Sequence, residues 1–293
     1  NGNYGSTIEL DRDYVYSGDS DKSYVTIKNP ITINGNNHKI NGNDQTWLLY
    51  LTYDAYNVVL NNISFVHAKG QYYTMYINGW KSTFANCTFE NNDAPYGMYL
   101  SGYTEKITIS DSVFSNNTGD CPAMYICGNG NVIEHTVFED NQGFFSGAIY
   151  LYGNNNLIYD SVFRNNVAQY VGGALYCSGS SNTVNKSTFI KNRCYDPYGG
   201  LTRGGAINWE GNLGFVKYSK FYNNTAGEYT LQGIRSWNKI NKDMCLNCII
   251  CQSDVLSLPF YTARSLVIFS LCIVCFYEIC CSIRLSRTKY CYR

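Results

Sequence analysis

The chain has 293 residues, and 45% of them are hydrophobic, which is enough for one or two domains with a buried core. Lys plus Arg and Asp plus Glu both number 22. This balance gives no field that attracts nucleic acid, so no nucleic-acid partner is expected. The polar character comes from Asn, Ser, Thr, Gly and 28 tyrosines, which favour strands and tight turns. We therefore expect an extended all-β protein.

Residues 1–60 are predicted to form an N-terminal cap with irregular coils of strands. The chain begins at Asn1 without a methionine or a signal-type segment, which indicates a fragment, a processed form or a truncated reading. Apolar and polar residues alternate over residues 7–10, 24–27 and 31–33, as in strands. A coil of parallel strands must cover its first open edge, which would otherwise recruit other strands.

Residues 61–232 contain a repeat, which is predicted to form the regular coils. A phenylalanine is followed three residues later by an asparagine six times, at Phe89/Asn92, Phe114/Asn117, Phe138/Asn141, Phe163/Asn166, Phe189/Asn192 and Phe221/Asn224. The phenylalanines are 25, 24, 25, 26 and 32 residues apart. Such a period predicts a solenoid, in which neighbouring repeats bury a shared core.

Two columns of the repeat are predicted to fill that core. One is the phenylalanine column, to which Phe65 adds a seventh member. The other lies five residues earlier and is apolar in every repeat: Leu60, Phe84, Ile109, Ile133, Ile158, Val184 and Val216. Because parallel strands stack about 4.8 Å apart, residues at one offset form a row along the solenoid. We expect both rows to point inward.

The asparagine column is predicted to turn the chain. Asparagine tolerates left-handed backbone angles, and its amide is expected to bond to the coils above and below. Phe65 has Ala68 in place of asparagine and is expected to mark the edge of about seven regular coils. The step from Phe189 to Phe221 contains an insertion at residues 194–203, which is expected to loop out without disturbing the columns.

A second strand in each repeat is predicted to present a tyrosine to solvent. The strand alternates with period two, so its middle residue points outward. Five repeats have tyrosine there: Tyr76, Tyr99, Tyr125, Tyr150 and Tyr176. A face of amphipathic rings is suited to bind glycans or a partner surface. Alternatively, the stacked rings only stabilise neighbouring coils, by about 0.2 to 1 kcal/mol per pair.

A polar column three residues before the phenylalanines supplies the catalytic candidates. Stacking is expected to bring Asp111, His135 and Asp160 together, as acid/base chemistry or metal binding requires. A variable outer face explains the column equally well, because it begins with Asn62 and Asn86. Carbohydrate-active enzymes need clustered carboxylates with a base or a cation. No stronger cluster appears, so no catalytic residue, cofactor or metal is assigned.

Asn-x-Ser/Thr sequences, the acceptors of N-linked glycan, recur in the repeat. They begin at Asn62, Asn86, Asn116, Asn185 and Asn223. Exposed members would carry glycan if the chain is exported to a glycosylating compartment. Chance matches are also expected in a sequence so rich in Asn, Ser and Thr.

Residues 233–293 are predicted to be a tail outside the repeat. Glycine is absent after Gly233, and eight of the 13 cysteines lie between Cys245 and Cys291. This distribution predicts no disulfide framework, and the cysteine spacing lacks the ligands of a complete iron–sulfur set. An out-of-frame translation of a longer repeat protein is the favoured explanation. The alternative is a membrane anchor at residues 265–283, where basic residues follow an apolar run.

The repeat resembles two families of surface protein. Phe-x-x-Asn combined with Gly-Gly-Ala and an aliphatic residue, as at 172–175 and 204–207, resembles the repeats of polymorphic outer-membrane proteins. Residues 31–42 and 57–65 are similar to adhesin-like surface proteins of methanogenic archaea. Both resemblances imply a right-handed parallel β-helix displayed outside the cell. An extracellular adhesin that binds glycans or cell-surface proteins is therefore expected, with a carbohydrate-active β-helix enzyme as the alternative.

Overall fold

A computed structural model describes residues 4–18, 24–197 and 202–226 and the backbone of three short strands at 234–236, 245–246 and 249–251. Strands β1 to β12 are Ser6–Glu9, Tyr14–Val15, Val25–Ile27, Ile31–Asn34, Lys39–Asn41, Leu49–Leu51, Val59–Asn61, Ser64–Val66, Tyr73–Ile77, Thr83–Ala85, Thr88–Glu90 and Tyr96–Leu100. Strands β13 to β24 are Thr108–Ser110, Val113–Ser115, Thr118–Gly119, Cys121–Ile126, Val132–Glu134, Val137–Glu139, Gln142–Gly143, Ile149–Leu151, Leu157–Tyr159, Val162–Arg164, Val167–Ala168 and Leu175–Cys177. Strands β25 to β34 are Thr183–Asn185, Thr188–Ile190, Arg193–Cys194, Ile207–Trp209, Phe215–Lys217, Lys220–Tyr222, Thr225–Ala226, Ile234–Ser236, Cys245–Leu246 and Ile249–Cys251.

The strands wind into a parallel solenoid. Each complete coil gives one strand to each of three long sheets, in the chain order A, B and C. Sheet A contains β1, β4, β7, β10, β13, β17, β21, β25, β29 and β33. Sheet B contains β2, β5, β8, β11, β14, β18, β22, β26, β30 and β34. Sheet C contains β3, β6, β9, β12, β16, β20, β24, β28 and β32, and a shorter sheet D contains β15, β19, β23, β27 and β31. The all-β parallel β-helix fold predicted from the repeat is confirmed.

The predicted core columns are buried. The seven phenylalanines of the repeat column are at most 3% exposed, and the apolar column on sheet A is at most 2% exposed. Successive phenylalanine rings stack with centroids 4.3 to 5.2 Å apart and interplanar angles of 5 to 12°. Stacked aromatic pairs add about 0.5 to 1.5 kcal/mol beyond the area that they bury. The phenylalanine column therefore ties each of the seven coils to the next.

The asparagine column forms a buried ladder of hydrogen bonds. Asn141 Oδ1 accepts from the backbone N–H of Asn117 at 3.1 Å and from its Nδ2 at 2.9 Å. Asn141 Nδ2 donates to the carbonyl of Phe114 at 3.0 Å and to Asn166 Oδ1 at 2.9 Å. These four contacts use the full capacity of a side-chain amide. The predicted bonding between coils is confirmed.

The backbone prediction for this column is wrong. The left-handed residue is the one before each ladder asparagine, with φ between 51° and 55°: Asn91, Asn116, Asp140, Asn165, Lys191 and Asn223. This residue is exposed and turns the corner. The asparagine after it points inward, since an unpaired buried N–H would cost about 1 to 3 kcal/mol. The asparagine is thus needed for its amide and not for its backbone angles.

The two other corners are built in the same way. Between sheets A and B, a left-handed residue such as Asp160 precedes a buried serine, and Ser161 N–H donates to Ser187 Oγ at 3.3 Å. Between sheets C and A, the left-handed Asn155 precedes a second ladder, in which Asn156 N–H donates to Asn182 Oδ1 at 2.8 Å. At these corners too, the inward N–H is paired with a side-chain oxygen of the next coil.

The coil continues in register upstream of Phe65, which corrects the expected edge. Phe65 pairs with Phe89 on one side and with Ile40 on the other, and strands β1 to β6 form two further coils. The feature that ends near Phe65 is the asparagine ladder. The backbone N–H of Ala68 donates to Asn92 Oδ1 at 2.9 Å, but Ala68 has no amide with which to continue the ladder. Of the N-terminal cap, residues 1–3 and 19–23 lie outside the described residues.

The insertion leaves the columns undisturbed, as predicted. Phe189 and Phe221 flank it in sequence and still stack at 4.9 Å, with an interplanar angle of 5°. Beyond it, the backbone of β32, β33 and β34 adds to sheets C, A and B, within the residues predicted to be the tail. The remainder of that tail, including the proposed anchor at 265–283, lies outside the described residues.

The roles of neighbouring corner residues can be separated by two glycine substitutions. We expect Asn141→Gly to lower the free energy of unfolding by about 3 kcal/mol or more, because several buried polar groups lose their partners. Asp140→Gly should change it by less than about 1 kcal/mol, since glycine accepts the left-handed angle. Urea unfolding followed by circular dichroism measures both. Equal losses, or the larger loss for Asp140→Gly, would contradict the assignment.

Candidate ligand-binding face

The predicted tyrosines form one row on the outer face of sheet C. Tyr76, Tyr99, Tyr125, Tyr150 and Tyr176 are register partners in successive strands, and Tyr50 precedes them. All six side chains are half-buried, whereas the residues on either side of each tyrosine are buried in the core. The period-two prediction is confirmed for these coils. One coil later Asn208 takes the same outer position, in register with Tyr176, but is fully buried.

The rings stack along the helix axis. Tyr76 to Tyr99 and Tyr99 to Tyr125 have centroid distances of 5.4 Å and interplanar angles of 11°. Tyr125 to Tyr150 is 4.8 Å at 16°. Only the ends of the row depart from this, since Tyr50 is tilted by 63° against Tyr76 and Tyr176 by 55° against Tyr150. Internal rings therefore cover the flat faces of one another and present edges and hydroxyls.

A second row of aromatic side chains packs against one flank of the tyrosine row. The centroid of Tyr73 lies 4.9 Å from that of Tyr99, and the centroid of Tyr96 lies 5.0 Å from that of Tyr125. Trp47 continues this flank 6.4 Å from Tyr50. The period-two pattern does not identify these residues, because they lie before the alternating part of the strand.

Burial keeps the phenol groups protonated. Desolvation, together with the nearby Cys127 thiol, raises the pKa of Tyr99 well above its ordinary value. Desolvation raises the pKa of Tyr125 in the same way. The pKa of Tyr176 is raised by desolvation and by its hydrogen bond to Glu210 Oε2, at 2.7 Å. At neutral pH the row is an uncharged series of hydroxyls that can both donate and accept hydrogen bonds.

The Asp111, His135 and Asp160 column lies elsewhere, at the corner between sheets A and B. His135 Nδ1 is 3.9 Å from Asp111 Oδ1, and His135 Nε2 is 3.8 Å from Asp160 Oδ2. The three residues are brought together as predicted, but their side chains are 47 to 57% exposed. In the described part of the chain, no group of three His, Cys, Asp or Glu side chains is arranged to hold a metal.

The five cysteines whose side chains the structure describes are free thiols, and most of them are buried. Cys87, Cys121, Cys177 and Cys194 are buried, and Cys127 is half-buried. Desolvation raises the pKa of Cys87 to about 11 and that of Cys177 to about 12. Thiols of this kind are poor nucleophiles, because the thiolate is the reactive form.

The corners also explain why Asn-x-Ser/Thr recurs. Asn62, Asn86, Asn116 and Asn223 occupy left-handed corner positions, and the Ser or Thr two residues later begins the next strand. Asn86, Asn116 and Asn223 are exposed, whereas Asn62 and Asn185 are half-buried. The pattern therefore follows from the architecture, and glycosylation stays a prediction.

The stacked coils, the three parallel sheets and the buried corner ladders define a parallel β-helix protein. A family model described as the right handed beta helix region matches residues 57–226, and the chain belongs to this family. A solved pectin methylesterase from Aspergillus niger, in deglycosylated form, is similar with 12% identity and a TM-score of 0.39, covering 92% of this chain and 94% of that chain. No curated protein matches the sequence. Over the described residues, no helix has the length and hydropathy of a membrane span.

Because the pKa values of the phenols are raised in the folded protein, its stability is expected to decrease in the alkaline pH range. Folding holds these groups neutral, so their contribution is complete below the unfolded pKa of about 10 and is lost as the pH rises from there toward the folded values. We expect the free energy of unfolding to fall above about pH 10. Ultraviolet titration should show late-ionising phenols, one of which disappears in Tyr125→Phe. Ionisation of Tyr125 with the first phenols would contradict the burial described.

Proposed function

We propose that the protein is an extracellular, adhesin-like surface protein that binds glycans on the outer face of sheet C and catalyses no reaction on them. The observation that carries this proposal is the row of neutral phenol hydroxyls, which repeats at the spacing of the coils. Polyhydroxylated ligands complement such a row, since each hydroxyl both donates and accepts. Cell-surface proteins that bear these glycans are the expected partners.

Rigidity of the row supports binding. The tyrosines stand on strands that are bonded on both sides, so little side-chain entropy is lost when a ligand binds. The acidic side chain bonded to the row, Glu210, already accepts from Tyr176. Neutral or weakly charged glycans therefore suit the face better than strongly anionic ones.

The non-enzymatic part of the proposal rests on the Asp111, His135 and Asp160 corner. Acid/base catalysis gains from carboxylates that are desolvated and held close to the substrate. The Asp111 and Asp160 side chains are 57% and 55% exposed, and the corner lies between sheets A and B, away from the tyrosine row on sheet C. A variable polar corner accounts for these residues.

Glycan-array binding tests the proposed function. We expect the protein to bind a subset of glycans, and Tyr76→Phe with Tyr125→Phe to weaken that binding roughly tenfold, because the rings remain while two hydroxyls are lost. Tyr103→Phe is the control, since Tyr103 is 70% exposed and outside the row. Binding of no glycan would overturn the function. Unchanged affinity in the double variant would exclude the hydroxyl row.

Product assays on the bound glycans test the absence of catalysis. We expect no new reducing ends and no unsaturated products, and we expect Asp111→Asn and Asp160→Asn to leave binding unchanged. Each corner variant is compared with Glu134→Gln, another acidic residue of the same coils. Turnover that is lost in Asp160→Asn but kept in Glu134→Gln would establish the enzyme instead.

A further inference from the structure

The tyrosine row lacks one contact that sugar-binding sites commonly use. A pyranose ring packs its C–H groups on the flat face of an aromatic side chain. The faces of Tyr99 and Tyr125 are covered by their neighbours in the row, at interplanar angles of 11 to 16°. Any stacking contact must therefore come from aromatic rings that leave the row.

Three exposed rings next to the row meet this requirement. Phe144, Phe145 and Tyr170 are 45%, 38% and 46% exposed. The rings of Phe144 and Tyr170 are parallel within 4°, with centroids 6.4 Å apart. Phe145 stands at 87° to both of them, 4.9 Å from Phe144 and 6.2 Å from Tyr170. The three rings form a right-angled aromatic corner between two adjacent coils.

The aromatic corner is rigid and continuous with the tyrosine row. The N–H of Phe145 donates to the carbonyl of Asp120 at 2.9 Å, and the N–H of Tyr170 donates to the carbonyl of Phe144 at 2.9 Å. The loop is thus bonded to the coils on both sides. The ring of Phe145 also meets Tyr150 edge to face, with centroids 6.5 Å apart. A ligand that lies on Tyr150 therefore reaches the corner without any rearrangement.

The size of the corner indicates what it binds. An aromatic side chain has about 150 to 250 Å² of surface, so three rings that are less than half exposed offer on the order of 200 to 300 Å². A stable protein interface needs about 800 Å² from each partner. The exposed area of the three rings therefore matches one or two sugar rings and is by itself well below that of a protein interface.

We propose that Phe144, Phe145 and Tyr170 form the ring-stacking subsite of the glycan face, and that it selects pyranose units with equatorial hydroxyls. This inference rests on the proposed function and adds the class of sugar. Equatorial hydroxyls leave both faces of the ring lined by C–H groups, which pack on aromatic faces. Axial hydroxyls would place unpaired polar groups against the rings, at a cost in affinity.

Cellohexaose, a linear β-1,4-glucan oligomer with equatorial hydroxyls, is the probe. We expect saturation-transfer NMR to show contact from aromatic protons of the full chain to the axial C–H groups of glucose. Phe144→Ala with Tyr170→Ala should weaken binding roughly tenfold in calorimetric titration. The matched control is Tyr152→Ala, which removes an exposed ring (59%) from the same coil outside the corner, and which should bind like the wild type.

A second double variant separates stacking from general hydrophobicity and from misfolding. Phe144→Leu with Tyr170→Leu keeps apolar side chains but removes the flat faces, so it should also lose binding while the thermal midpoint stays within a few degrees of the wild type. Wild-type affinity in the leucine variant, or in the alanine variant, would overturn the subsite. So would a dimer in sedimentation that the alanine variant dissociates, because a second copy would then be the occupant.

Failure of this inference is distinguishable from failure of the proposed function. If array glycans bind but cellohexaose does not, or if only glycans with axial hydroxyls bind, the subsite is overturned and the glycan face stands. If no glycan binds at all, the proposed function itself is overturned.

Discussion

The structure depends on one constraint: the buried backbone N–H after a corner must find a hydrogen-bond acceptor. The left-handed residue turns the chain between two sheets, and the next N–H points into the solenoid along its axis. A side-chain oxygen from the following coil accepts it, as Asn141 Oδ1 does for Asn117. An interior that left this group unpaired would lose about 1 to 3 kcal/mol at every corner.

Because the parallel strands of successive coils stack about 4.8 Å apart, every column of the repeat has that spacing. Inside, it brings phenylalanine rings to stacking distance, with centroids 4.3 to 5.2 Å apart. Outside, it does the same for tyrosine, at 4.6 to 5.4 Å. The stacking of the tyrosines decides the chemistry of the outer face, because it covers the ring faces and leaves the ring edges and hydroxyls exposed. Ring faces become available where a loop carries an aromatic side chain out of the row, as at Phe144.

The sequence predicts the inward columns well, because each column accepts only one chemical class. The left-handed column could not be found in this way. Its occupants include His135, Lys186 and Tyr218, which share no side-chain chemistry, since the backbone and not the side chain is selected there. The catalytic candidates Asp111 and Asp160 belong to this column. Because the column accepts any side chain, its acidic members resembled a catalytic cluster in the sequence.

Two other features could not be predicted from the sequence, for related reasons. The second asparagine ladder spans only Asn131, Asn156 and Asn182, too few members to stand out among the many asparagines. The aromatic corner depends on residues in a loop whose length is not periodic, so Phe145 and Tyr170 meet only when the coils are stacked. The repeating columns were therefore predictable from the sequence, whereas the aromatic corner, which departs from the repeat, was not.

Hydrogen exchange at the ladder amides tests the corner mechanism most directly. We expect the backbone N–H groups of Asn117, Asn141 and Asn166 to exchange as slowly as those of the adjacent strands in residue-resolved NMR, because each is bonded to a buried amide oxygen of the next coil. Exchange at the rate of exposed loops, with the neighbouring strands protected, would show that these bonds do not hold the coils together.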